Sequence, residues 1–352
     1  MRTVLKNILL NGVKTDLITN GVKIEKIGKT DECGVDMGGL KAFPGLIDIH
    51  SHGAVGKDTM EADLESISVY QLEHGITTWY PTTMTMSEED ILRATHAKTD
   101  FKNGCNIPGF HMEGPFINAK YKGAQNEEFV KNPTAQLVER SENTKLVTIA
   151  PELEGASEFI KATDAVVCIG HTDADYDTAM SAFACGARCL THTFNVMPGI
   201  HHRKPGPICA GADSDAYAQL ICDGIHVHPS AVRMLVKLYG IDKVILISDS
   251  MAATGLGDGE YMFGGQQITV KDSIARTKDG NLAGSTTNLF DCVRQAIKFG
   301  FDEEVAVKMA SENPARLMKL NKGKISIGYD ADLIFVDDNF ELQAVMINGK
   351  MM

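Results

Sequence analysis

Eight short apolar runs, separated by stretches of helical spacing, constrain this chain more than any other feature. They are Leu46–His50, Thr77–Tyr80, Ile107–His111, Leu146–Ala150, Val166–Gly170, Cys189–Thr193, Leu220–Gly224 and Val244–Ser248. Helical patterns lie between most of them, at Asp63–His74, Glu88–Thr99, Thr134–Ser141, Asp175–Cys185 and Pro229–Tyr239, and two more follow the eighth run at Thr287–Phe299 and Asp302–Met318. Strands that alternate with helices build a parallel sheet, and eight such repeats over roughly 270 residues predict an α/β fold closed as a (β/α)8 barrel of the TIM type. A doubly wound open sheet is the competing architecture. It would place a glycine-rich phosphate loop after an early strand, and neither GxGxxG nor GxxxxGK occurs.

Outside the repeats the pattern changes. Val4–Leu10, Asp16–Thr19 and Lys23–Ile27 read as short strands punctuated by Gly12, Asn20-Gly21 and Gly28, and the far end repeats this style at Leu333–Val336 and Leu342–Ile347. Neither end has enough strands to bury a sheet face alone. The expectation is therefore one small β-sandwich module built from both termini, residues 1–45 and 323–352, flanking a barrel over 46–322. A glycine-rich stretch, Thr254–Ala283, carries a strand-like Gln267–Val270 and reads as a long loop or hairpin after the eighth strand. Segments of that kind usually serve as lids or substrate walls.

Composition narrows the function classes. The 352 residues carry 34 basic and 46 acidic side chains, a net charge of −12, with no basic block. Such a chain is a poor partner for nucleic acid or a membrane surface, although a local positive cluster can still hold a small anion. The eight cysteines include no CxxC pair, and Cys168 and Cys222 fall inside apolar runs, so they read as free, mostly buried thiols of a reducing compartment. The amino-terminal apolar stretch is too short and interrupted for a signal peptide, and no later run nears about 18 apolar residues. A soluble, cytoplasmic protein is expected.

The chemistry lies where the runs end, because barrel active sites sit at the carboxyl ends of the strands. The first run ends in Asp48-Ile49-His50-Ser51-His52, the third in His111-Met112-Glu113-Gly114-Pro115, the fifth in Gly170-His171-Thr172, the sixth in His192-Thr193-Phe194-Asn195, the seventh in Asp223-Gly224-Ile225-His226 and the eighth in Ser248-Asp249-Ser250. His50 and His52, two apart on a strand, share a face and can bind one ion. Each residue alone has a bland reading: a hydrogen-bonded histidine, a turn glutamate, an aspartate cap. Together they put four imidazoles and two carboxylates at one end of one barrel. That donor set suits zinc or iron(II), with manganese or cobalt also accommodated, and not an oxygen-rich magnesium or calcium site.

The sequence also resembles a known family. Pro44-Gly45-Leu46-Ile47-Asp48-Ile49-His50-Ser51-His52-Gly53 is similar to the opening metal motif of the amidohydrolase superfamily, and Gly323 to Leu333 is similar to its closing motif. The segments around Glu113, His171, His192-Thr193-Phe194-Asn195-Val196-Met197, Asp223-Gly224-Ile225-His226 and Leu282-Ala283-Gly284-Ser285 resemble the N-acetylglucosamine-6-phosphate deacetylases of that superfamily, over nearly the whole chain. The resemblance implies a principal metal held by Glu113, His171 and His192, a second at His50 and His52, and Asp249 as acid/base. It implies a sugar phosphate held by Asn195, Val196, Arg203 and His226, with Leu282, Ala283 and Gly284 as a contacting loop. It further implies a homodimer in which Arg203 reaches the neighbouring site. Beside Ala124, this chain has Gln125 where many members have a histidine that contacts the acetyl group; an amide N–H can donate to the same oxygen.

Three other readings compete. The galacto epimer differs at one hydroxyl. A cyclic-amide hydrolase would often bridge its metals with a modified lysine at the end of the fourth strand, where this chain reads Leu146–Ala150 then Pro151-Glu152. A non-catalytic sugar-phosphate sensor would have lost Asp249 or a metal ligand, and all are present.

Overall fold

The structure, a computed structural model, describes residues 2–141 and 143–352. All eight runs become parallel strands of one sheet whose spatial order follows the chain. We label them β1 (Leu46–Ser51), β2 (Ile76–Thr83), β3 (Phe110–Glu113), β4 (Thr144–Ile149), β5 (Val166–Ile169), β6 (Cys189–Leu190), β7 (Tyr217–Ile221) and β8 (Val244–Ile247). A helix follows each strand. Two of these, Ala156–Ala162 after β4 and Gly206–Asp213 after β6, are too small-residue-rich or too short for periodicity to reveal.

The sheet closes at its carboxyl rim. The Asp249 N–H donates to His50 O at 2.9 Å, and the His52 N–H donates to Ser250 O at 2.8 Å. Ser248 Oγ donates to an Asp48 oxygen at 2.5 Å, and the hydroxyls of Ser51 and Ser250 meet at 2.7 Å. The ends of β1 and β8 are thus pinned where the site lies. Ile47, Tyr80, Leu146, Cys168, Cys189, Ile221 and Ile245 come from different strands yet form one cluster, which fixes them inside the barrel; Ala315 and Leu317 plug its lower end. The outward layer, with Trp79, Phe110 and Val147, packs on helix residues such as Ile67, Phe159, Leu235 and Val293.

Asp302–Met318 reads as one helix in sequence but forms two, Glu303–Ala310 and Glu312–Leu317, broken at Ser311. Pro314 has no N–H to return to Ala310, and its ring crowds that carbonyl. The strand boundaries of β3 and β7 also shift by about three residues, so Asp223 to His226 lie wholly in the loop after β7.

Both termini share one eight-stranded sheet. Lys41–Pro44 is the seam: it pairs antiparallel with Leu333–Val336 and touches Arg2–Leu10 in parallel at Leu9 and Lys41. The expected sandwich is this single sheet folded over its own core of Leu5, Ile8, Leu17, Leu333, Phe335 and Met346. Its curl brings Val22 O onto the Ala331 N–H at 2.7 Å. The glycine-rich stretch after β8 forms three antiparallel strands, Gly259–Phe263, Gln266–Lys271 and Ile274–Thr277. Gly264 and Gly265, at φ 55° and 76°, supply the two positive angles of its first hairpin turn. Among the described residues no helix is long and apolar enough to cross a membrane.

Candidate active site

The site grows from the points where strands stop. His171, His192 and Asp249 each follow a strand with positive φ (49°, 25° and 50°), a left-handed step that turns the side chain over the barrel mouth. Such steps cost on the order of 1–2 kcal/mol in a non-glycine residue and persist where surrounding contacts hold them. Glu113 ends β3. The next residue, Gly114, has φ 75°, and a Cβ there would lie 2.0 Å from Thr85 Oγ1, so only glycine fits. The β1 ladder to β2 is irregular between Asp48 and Ser51, at the level of His50.

Glu113 is the centre. Its Oε1 lies 3.2 Å from His50 Nε2, 3.2 Å from His171 Nε2 and 3.0 Å from His192 Nε2, and its Oε2 lies 3.2 Å from His52 Nε2. Asp249 Oδ1 lies 3.5 Å from His50 Nε2 and 3.3 Å from His52 Nε2. Two overlapping groups have the spacing of metal ligands: His50, His52 and Glu113, and Glu113, His171 and His192. Glu113 belongs to both.

The far sides of three of the four rings are prepared for ligation, while His192 Nδ1 is buried without a hydrogen-bond partner among the described residues. His50 Nδ1 meets Gln219 Oε1 at 3.0 Å, His52 Nδ1 meets Thr82 O at 3.1 Å and His171 Nδ1 meets Tyr121 O at 2.9 Å. Each oxygen takes the Nδ1 proton and leaves Nε2 as the lone-pair nitrogen, the arrangement typical of metal-bound histidine. His50 Nε2 is buried without a hydrogen-bond partner among the described residues. The donor set and this orphaned atom fit a divalent transition metal.

The electrostatics agree. Burial alone would lift the Glu113 carboxyl, but the imidazoles of His50 and His171 hold it well below the usual carboxylate range. Burial likewise acts against Asp249, and His50 and His52 keep it low. Burial would push the His52 imidazole down, yet Asp249 and Glu113 carry it up to about 10. His50 moves the same way for the same reason. Two buried carboxylates therefore demand positive charge at this point, and a metal taking the place of those protons would release them.

A cavity of about 430 Å³ opens above the cluster, within the range of small-ligand sites. Ala124, Gln125, Asn195, Val196, His226, Leu282 and Gly284 line it, with His52, Glu113, His171, His192 and Asp249 at its floor. Ala283 is fully buried behind that wall. His226 is locked by Asp223, Nδ1 to Oδ2 at 2.6 Å; burial opposes its charge, but Asp223 raises it. Arg203 lies apart from the cavity lining, exposed, its guanidinium 2.6 Å from His202 Nε2. Gln125 differs from the expected free acetyl contact: its Nε2 donates to Glu113 Oε2 at 2.7 Å and its Oε1 accepts the Thr85 N–H at 2.7 Å. Sequence reasoning did not find Lys120, Tyr121 and Lys122 on the cavity wall, nor Phe263, whose ring meets His52 edge-on at 5.2 Å. None carries a local signal, since each arrives on a loop or hairpin packed from elsewhere.

Comparison with known proteins places this geometry. The amidohydrolase family profile matches residues 42–352. This chain belongs to the amidohydrolase family. This amidohydrolase is 35% identical over 331 residues to the N-acetylglucosamine-6-phosphate deacetylase of Bacillus subtilis (strain 168), covering 88% of this chain and 84% of that protein. It is 33% identical over 327 residues to the N-acetylgalactosamine-6-phosphate deacetylase of Escherichia coli O157:H7, covering 88% and 86%. Its fold superposes with a TM-score of 0.92 on a mutant N-acetyl-D-glucosamine-6-phosphate deacetylase from Mycobacterium smegmatis, solved in complex with N-acetyl-D-glucosamine 6-phosphate. That match has 30% identity and covers 100% of this chain and 98% of the other.

Proposed function

We propose that this amidohydrolase hydrolyses the acetamide of N-acetyl-D-glucosamine 6-phosphate, giving D-glucosamine 6-phosphate and acetate in amino-sugar breakdown. The observation that carries the reading is the single carboxylate, Glu113, within 3.2 Å of four imidazole nitrogens, with Asp249 beside them on the floor of a sugar-sized cavity. Glu113, His171 and His192 would hold a principal divalent metal, zinc or iron before manganese or cobalt, and His50 and His52 with Glu113 a second. When bound, the metal supplies a water of lowered pKa and polarises the amide carbonyl.

The chain's own groups do the rest. Asp249, held ionised by its histidines, takes a proton from the attacking water and returns it to the leaving nitrogen, so no free amide anion forms. Asn195, His226 and the backbone at Val196 and Leu282 to Gly284 orient the sugar. Lys120 and Lys122 at the cavity wall are engaged in exposed pairs with Asp173 and Glu127, and no arginine is in the cavity lining among the described residues. Arg203 of a second copy would supply one for the phosphate, which favours a homodimer. The eight free cysteines favour a reducing, cytoplasmic setting.

The galactosamine relative at similar identity keeps the epimer as the second reading. Turnover of both phosphorylated epimers and of free N-acetylglucosamine, with metal analysis of the same sample, tests the proposal. We expect fastest turnover of the gluco phosphate and little of the free sugar. Equal rates with and without phosphate would overturn the substrate assignment, and faster galacto turnover would reassign the epimer.

A further inference from the structure

Gln219 lies in the middle of β7, fully buried inside the barrel beneath the site. Its amide oxygen is 3.0 Å from His50 Nδ1, and among the described residues its amide nitrogen has the Cys168 sulfur alone as a partner, at 3.8 Å. Its backbone carbonyl accepts the N–H of Thr193, the residue after His192, at 2.8 Å. A buried amide costs free energy unless its polar atoms are used, and an apolar side chain would pack on this strand as Ile221 does. Among the described residues the one strong partner of the side chain is the imidazole of His50.

We propose that Gln219 is a positioning residue for the second metal position, fixing the proton of His50 on Nδ1 so that Nε2 faces Glu113 and Asp249 as a ligand. The inference rests on the two-ion reading of the site. The orientation of the amide follows from its surroundings. A thiol accepts or donates weakly and imposes no preference. The carbonyl toward His50 leaves Nε2 free, whereas the NH2 group toward it would force the ring proton onto Nε2, against the cation position. The ring of His50 is steadied on another side by His111, edge-on at 4.5 Å, and His111 is itself tied to Ile49 O and Thr148 Oγ1 at 3.0 and 2.8 Å. His111 contacts the ring but not its Nδ1 proton. His52 and His171 use backbone carbonyls for the same purpose, which no substitution of a side chain removes. His50 alone of these three depends on a side chain, so the second position is the one that a single replacement at Gln219 reaches.

The test is metal binding. Protein stripped by a chelator is titrated with Co²⁺, following calorimetry and the visible absorption of the bound ion, for wild type, Gln219→Leu and Gln219→Glu. Wild type is expected to take up two ions. Gln219→Leu should hold the first as before and the second about 10- to 100-fold more weakly, and Gln219→Glu, which keeps the acceptor, should restore it. Gln219→Met serves if the leucine variant does not fold. Unchanged affinity for the second ion in Gln219→Leu would overturn the inference, as would equal weakening of both ions, which marks a packing defect. A wild type that takes up only one ion would overturn the two-ion reading itself, and this inference with it.

Discussion

Asp249 separates shape from charge at the residue scale. Asp249→Asn keeps the volume and the contacts to His50 and His52 but cannot accept the proton of the attacking water. We expect kcat to fall by on the order of 10² or more while the sugar phosphate still binds and metal content holds. A loss of less than about tenfold would move proton transfer to another group. His192→Ala removes a proposed ligand of the principal ion and should abolish turnover and lower bound metal together. The residues that gather into the metal-capable groups were legible because a histidine or carboxylate at a strand end in a barrel has few other tasks. Gln125 was legible as a site residue but not in its present bonding. Its sequence neighbours, Ala124 and Asn126, say nothing of Glu113 or of the Thr85 N–H, which arrive from other repeats. Gln219 was silent for the same reason: inside a strand it is one polar residue in an apolar run, and only closure of the barrel sets it beneath His50.

At the scale of elements, the eight strands could be read because each combines an apolar run with flanking helical periodicity, and the seam of the terminal module could not, because pairing between Lys41–Pro44 and Leu333–Val336 is a contact across nearly the whole chain. Two elements offer tests. Gly114 couples β3 to the loop after β2, and Gly114→Ala adds a Cβ into Thr85 at an unfavourable φ. We expect a loss of about 2–3 kcal/mol, seen as a lower thermal midpoint, with a fall in activity because Glu113 is adjacent. In the terminal sheet, the buried Asp16 carboxylate accepts from the N–H groups of Asn7 and Thr30, each at 3.0 Å, and from Lys29 at 3.2 Å. The Asn7 bond is the largest influence, and with Thr30 and Lys29 it outweighs burial and holds the Asp16 pKa well below the usual range. A depressed folded pKa gives stability that is present above the unfolded value of about 3.9 and is lost as pH falls through the folded value. Asp16→Asn should therefore lower the midpoint most at neutral pH, and the gap to wild type should narrow progressively below about pH 4. A gap independent of pH from 7 to 2 would show that shape, not charge, holds this corner.

At the scale of the whole molecule, the open question is whether one chain makes a complete site. Its cavity is lined by four of the five proposed metal ligands, Asp249 and His226, but Arg203 is not in that lining and is exposed among His201, His202 and Lys204. A guanidinium is suited to a phosphate because its planar fork binds two oxygens at once, and truncating such a buried, charge-assisted contact costs on the order of 2–5 kcal/mol. Arg203→Ala should then weaken the phosphorylated substrate roughly 30-fold to several thousandfold, while leaving the slow turnover of free N-acetylglucosamine nearly unchanged. Which chain's substrate Arg203 serves is decided by mixing. In the proposed homodimer, Arg203→Ala would lack the phosphate contact in both sites, and Asp249→Asn would lack the proton acceptor in both. In a heterodimer with arginine supplied across the interface, the site on the Arg203→Ala chain regains both groups: its own Asp249 and its partner's arginine. Its companion site loses both. Half of the sites in such a heterodimer should therefore work, and activity should rise on mixing under conditions that exchange subunits, in proportion to the heterodimer measured by native mass spectrometry. Demonstrated heterodimers without recovered activity would mean that Arg203 folds back to its own cavity, and the second copy would then have no part in holding the phosphate.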